Sequence, residues 1–116
     1  MDYLPLAFKL EGESVLLVGA GVVAARKARL LKRAGAHLKV VATKISPEVR
    51  DQLDEHDICL ERAFVEDDCR DVRLIVAATD SSALHEAMYT LARQRNIPIN
   101  VVDSPDLCTF IFPAII

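Results

Sequence analysis

The segment Gly19-Ala20-Gly21-Val22-Val23-Ala24 has the residue types and spacing to hold a diphosphate. It has the form G-x-G-x-x-A, follows the apolar run Ser14-Val15-Leu16-Leu17-Val18, and opens a helix-like stretch. In that context the pattern reads as a dinucleotide-binding turn. Gly19 permits the tight turn, Gly21 leaves the backbone open to a pyrophosphate, and Ala24 lets helix and strand pack closely. The helix start adds unpaired N–H groups and a positive dipole end. The competing reading is a tight strand-to-helix turn that holds no ligand.

An acidic residue about 20 positions further on usually binds the adenine ribose in such folds. Here Leu38-Lys39-Val40-Val41-Ala42 is followed by Thr43 and Lys44 instead. Ribose contacts are therefore expected from Thr43 or from the backbone. Lys44 would tolerate a 2′-phosphate, so NAD and NADP are both open on chemistry alone. Ligands of open α/β sheets lie beyond the carboxyl ends of the strands. Thr79 and Asp80 fall there and are expected to line the cleft, although Asp80 would also suit a helix cap. Asn100 and Asp103 fall at the end of another strand. A partly desolvated Asp103 would be suited to moving a proton; before Ser104-Pro105 it would equally suit a turn. His37, His56 and His85, with Cys59, Cys69 and Cys108, show no metal-ligand spacing. They read as structural or surface groups, and no metal site is expected.

The elements that must position these residues alternate strand-like and helix-like runs. That alternation predicts an α/β fold: a Rossmann-like, doubly wound, mostly parallel sheet in a single domain over residues 1–116. Strands are expected at 14–18, 37–42, 57–61, 72–78 and 97–102, with a sixth over 109–113. Residues 4–10 read as a lead-in strand or an extended arm. Helices are expected at 22–34, 46–55 and 81–95, with a helical turn within 65–71. Gly35 should end the first helix. Ser46 and Pro47 should start the second, and Asp80 or Ser81 should cap the third. Ala24, Ala28 and Leu31 form an inward stripe. Arg26, Lys27, Arg29, Lys32 and Arg33 form a basic outer side, which could attract a polyanion.

With 52 % hydrophobic and 27 % charged residues, the composition is that of a soluble globular protein. Net charge is −3, which disfavours nucleic-acid binding by bulk charge. No apolar run reaches the ~18 residues of a membrane span. The first residues do not read as a secretory leader, so the cytoplasm is the expected location. The apolar run from Phe110 to Ile116 has no polar tail. It suggests a fragment whose missing part covers this segment; the other reading is a terminus docked into the core.

Several segments match a known family in order and separation: Met1-Asp2-Tyr3-Leu4-Pro5, the run Val18 to Leu31, Ala77-Ala78-Thr79-Asp80, Asn100-Val101-Val102-Asp103, and Phe110 to Ile116. The chain resembles the N-terminal module of the siroheme synthases, which join a uroporphyrinogen-III methylase, a precorrin-2 dehydrogenase and a sirohydrochlorin ferrochelatase. The resemblance implies NAD-dependent oxidation of precorrin-2 to sirohydrochlorin, then insertion of ferrous iron, the metal being a substrate. It implies dinucleotide contacts at Gly21, Val22, Val23, Thr43 and Lys44, and proton transfer by Asp103, which would also serve chelation. The lack of an acidic ribose partner is shared with this family and favours NAD. It further implies a homodimer, built through a helical region that this chain lacks and on which turnover would depend. The rival readings are a dinucleotide-sensing regulatory module without catalysis and an S-adenosylmethionine-dependent methyltransferase. Both usually keep an acidic residue after the second strand.

Overall fold

The structure, a computed structural model, describes residues 3–113. Met1 and Asp2, and Ala114 to Ile116 of the apolar run, lie outside the described residues. Five strands form one sheet: β1 (Ser14–Val18), β2 (His37–Ala42), β3 (Ile58–Glu61), β4 (Leu74–Ala77) and β5 (Ile99–Val101). Three helices connect them: α1 (Val22–Arg33), α2 (Pro47–Arg50) and α3 (Ser82–Arg95). The strand order is β3-β2-β1-β4-β5 and every pairing is parallel. Val18 is in register with Val41 on one side and Ala77 on the other.

The unbroken apolar strands reflect burial on both faces. Val15 and Leu17 pack with Ala24, Ala28 and Leu31 of α1 and Val49 of α2. Leu16 and Val18 face the other way, toward Met88, Leu91 and Ala92 of α3. The sheet is therefore doubly wound, with one apolar layer on each face. Ala24 and Ala28 are fully buried, so small residues let α1 lie close on the sheet. At its end, Ala36 N–H donates to Leu31 O and Gly35 N–H to Lys32 O, with Gly35 at φ +83. That is the closure expected of a glycine just past a helix.

Two local expectations differ from the structure. The second helix does not run to residue 55 but stops after one turn. Asp57 accepts hydrogen bonds from Asp54 N (2.9 Å) and Leu38 N (2.7 Å), and Asp54 accepts one from His56 N (2.8 Å). These aspartates take up the backbone donors that a longer helix would need. Of the two readings open for residues 4–10, the structure takes the extended arm, with Leu4 and Leu6 exposed. Residues 109–113 are not a sixth strand. Among the described residues, the one backbone-to-backbone bond from this segment to β5 is Thr109 N–H to Ile99 O at 2.8 Å; Thr109 Oγ1 accepts from Ile99 N, and the Asn100 side chain donates to Phe110 O at 3.1 Å. Side chains thus replace the ladder. Among the described residues no helix is long and apolar enough to cross a membrane.

The tightest point of the sheet lies where β1 ends. Gly19 has φ +113, and a Cβ there would overlap the Ala78 carbonyl. Both the backbone angle and the neighbouring strand thus demand glycine. Gly19→Ala is expected to lower unfolding free energy by about 2–4 kcal/mol, read by denaturant titration.

Candidate functional site

Beyond the carboxyl ends of β1, β2 and β4 lies a cavity of about 570 Å³. Gly19, Gly21, Thr43, Lys44, Thr79 and Asp80 all line it. The sequence had placed these residues on three separate connections, and the sheet order brings them together. Backbone bonds fix the glycine turn: Gly19 N–H donates to Val41 O (2.9 Å), and Ala20 O accepts from Ser46 N (3.3 Å).

The two glycines serve different needs. Gly19 is required by the protein itself. Gly21 sits at φ −91 in extended backbone, which any residue adopts, and a Cβ there would meet nothing within 4 Å. No protein atom explains its lack of a side chain, and the space above it is open. Gly21 is also the N-cap of α1 and offers no capping side chain, and the first turn carries no acidic residue. The other two helices are capped, α2 by Ser46 and α3 by Ser81. The leading amides of α1 are therefore free to bind an outside anion. Ser81, not Asp80, caps α3, which leaves Asp80 exposed on the cavity wall. Val22 and Val23 do not line the cavity, and Val22 is 68 % exposed. They occupy the first turn of α1, whose leading amides have no partner within the helix.

The sequence reading missed Arg62, Phe64 and Leu84, which complete the lining. No motif marks them, because the loop after β3 reaches the cavity only through the strand order. Arg62 forms a two-pronged pair with Asp68, at 2.9 and 2.7 Å. Asp68 is buried and also accepts Val65 N–H. The Arg62 guanidinium holds the Asp68 carboxyl below the usual carboxylate range. The Arg62 charge is thereby met by Asp68, and Lys44 and Asp80 bring opposite charges to the lining. Beside it, His85 is buried, and its Nε2 lies 3.2 Å from Thr79 N and 2.8 Å from Thr79 Oγ1. Burial pushes the His85 pKa down, and the Asp80 charge opposes this in part.

Asp103 lies elsewhere. It lines a second cavity, about 250 Å³, with Lys27, Asn100, Cys108 and Phe112. Its side chain is exposed, not partly desolvated as a proton-moving role had suggested, and its backbone is left-handed at φ 60. The Lys27 ammonium stands 4.3 Å from the centre of the Phe112 ring, so one residue of the basic helix side points into this cavity. Cys108 Sγ accepts Val101 N–H at 3.1 Å. Val102, on the lining of this second cavity, is tied to β4 by its N–H, which donates to Ala77 O at 3.0 Å.

Gly21→Ser separates folding from binding. Serine is a good N-cap, so stability is expected to hold or rise by a few tenths of a kcal/mol. The same side chain fills the ligand's space, so NAD affinity should fall by about tenfold or more in calorimetric titration. Asp68→Asn tests the clamp on Arg62. It should cost about 2 kcal/mol near pH 7, a figure reduced because Arg62 is half exposed. Since the Asp68 pKa is depressed, its contribution is present above about pH 4 and is lost as pH falls below that. Unfolding titrations of the wild type and the variant should therefore converge in acid.

A family model described as NAD(P)-binding matches residues 6–114. Siroheme synthases from Ectopseudomonas mendocina (strain ymp), Azotobacter vinelandii and Zymomonas mobilis are 47 %, 48 % and 45 % identical over the whole of this chain. The chain spans about a quarter of the length of each, 25 %. The solved structure of SirC, a precorrin-2 dehydrogenase, superposes with a TM-score of 0.75 at 26 % identity, covering 97 % of this chain and 55 % of that one. D-lactate dehydrogenase from Escherichia coli superposes at 0.64 with 14 % identity over 87 % of this chain and 31 % of that one, a likeness of fold alone. The uncapped helix and the unfilled space over Gly21 agree with the family match, and this chain belongs to the NAD(P)-binding family.

Proposed function

We propose that this chain is the cofactor-binding part of a precorrin-2 dehydrogenase that oxidises precorrin-2 to sirohydrochlorin with NAD. The observation that carries the reading is the uncapped start of α1 at the larger cavity, with Asp103 in the second cavity just past β5. The likeness to siroheme synthases and to SirC supplies the substrate class. The reaction balances as precorrin-2 plus NAD⁺ giving sirohydrochlorin, NADH and a proton.

The bound dinucleotide supplies the hydride acceptor. The chain's own residues bind, orient and move the proton. The amides of Gly21, Val22 and Val23 hold the pyrophosphate. Thr43 and Lys44 take the ribose side, and Thr79 and Asp80 form the opposite wall. Asp103 takes the proton that leaves with the hydride; it does so from an exposed position, which substrate would have to cover. Lys27 pairs with a substrate carboxylate. The finer reading has the same Asp103 serve iron insertion into sirohydrochlorin in a longer, homodimeric polypeptide of which this chain is one domain. With no acidic residue after β2, the preference for NAD over NADP rests on the likeness to that family.

Anaerobic assay of precorrin-2 oxidation by the full polypeptide, with Asp103→Ala beside it, tests this. The variant should lose about a hundredfold or more in kcat/KM and keep its NAD affinity within about twofold. Unchanged turnover would overturn the role of Asp103. Cofactor binding without any oxidation by the wild type would favour a sensing module.

A further inference from the structure

His85 lies in the first turn of α3, buried between that helix and the loop from β4. Its Nε2 faces two groups of Thr79 at once, the backbone N–H at 3.2 Å and the hydroxyl at 2.8 Å. A backbone N–H can only donate, so Nε2 must be the acceptor. The imidazole is therefore neutral and carries its proton on Nδ1. With Nε2 accepting, the Thr79 hydroxyl gives its hydrogen to the ring, and its oxygen accepts Ser81 N–H at 3.2 Å. Ser81 in turn caps α3 through Leu84 N–H at 3.2 Å. One imidazole nitrogen thus orders Thr79, Asp80 and Ser81, a continuous stretch of the larger cavity's wall.

We propose that His85 is a positioning residue for the cofactor cleft: as a neutral acceptor it fixes the Thr79–Ser81 loop, so dinucleotide binding weakens when the ring takes a proton. This rests on the reading that the dinucleotide occupies the larger cavity. A protonated Nε2 becomes a donor, loses the Thr79 N–H and forces the hydroxyl to turn. The charged group that bears on the ring is Asp80. The strands beneath α3, Leu-Ile-Val-Ala in β4 and Ile-Asn-Val in β5, hold no charge. The turn Pro105–Leu107 also packs on α3, and its one titratable residue, Asp106, is exposed. Burial dominates over Asp80 and places the transition below the ordinary histidine range. The ordered loop is therefore complete at neutral pH and is lost as pH falls through that lowered pKa.

The test is calorimetric titration of NAD into wild type, His85→Gln and His85→Ala between about pH 8 and about pH 5. Gln keeps an acceptor near the Nε2 position and does not titrate. Wild-type affinity should be flat near neutrality and fall by about fivefold or more toward acid. His85→Gln should match wild type near neutrality within about twofold and stay flat, while His85→Ala should be weak throughout. Parallel pH slopes in wild type and His85→Gln, or a flat wild type, would overturn the proposal and leave the cofactor site standing. A wild type that does not bind NAD at any pH would remove both. Nitrogen NMR of the wild-type imidazole decides independently of any variant: an unprotonated Nε2 near neutrality supports the role, and a protonated Nε2 overturns it.

Discussion

The cleft exists because β1 has a strand on each side and the chain reaches them by opposite routes. From β1 it passes through α1 to β2 on one side, and later returns as β4 on the other. Connections that part in this way cannot fill the space above the strand where they diverge. Val18, in register with both Val41 and Ala77, marks that place. The glycine turn, the Thr43-Lys44 loop and the Thr79–Ser81 loop meet above it as a result. None of them is close to another in sequence. The double winding also explains the plain apolar strands, since each must satisfy two layers.

Several polar groups around the cleft are assigned within the protein. Arg62 is tied to Asp68, Thr79 to His85, and Ser81 to α3. The start of α1 differs from them, since neither a side chain nor an acidic residue answers the helix amides there. Capping residues begin the other two helices, so the omission is local and not a habit of the sequence. Free donors at one place, among bonded neighbours, give the cleft a direction as well as a volume. An anionic group is drawn to one end and leaves the other walls to less charged parts of a ligand.

Much of this was legible in the sequence where local chemistry governs. The glycine pattern, the Ser46-Pro47 start, the Gly35 stop and the buried strands all follow from rules acting within a few residues. What was hidden depends on partners far along the chain or on side chains acting as backbone. The second helix looked longer because the bonds from Asp57 to Leu38 N and Asp54 N cannot be read from periodicity. Arg62 and Phe64 join the cleft only through strand order. His85 sits six positions from Thr79, a separation that matches no motif, and nothing but its burial singles it out. Asp103 lies at its expected strand end, but it is exposed and lines the second cavity, at a left-handed backbone position.

The segment after β5 does something that a sixth strand would not. Both outward amides of β5 are taken by side chains, Ile99 N–H by Thr109 Oγ1 and Val101 N–H by Cys108 Sγ. Its outward carbonyls are taken by Thr109 N–H and Ser104 N–H. The margin of the sheet is therefore sealed against strand addition. A second molecule approaching from that flank would find no unpaired ladder to extend, so association there has to proceed through side-chain surfaces, and the runaway stacking that open margins invite is blocked.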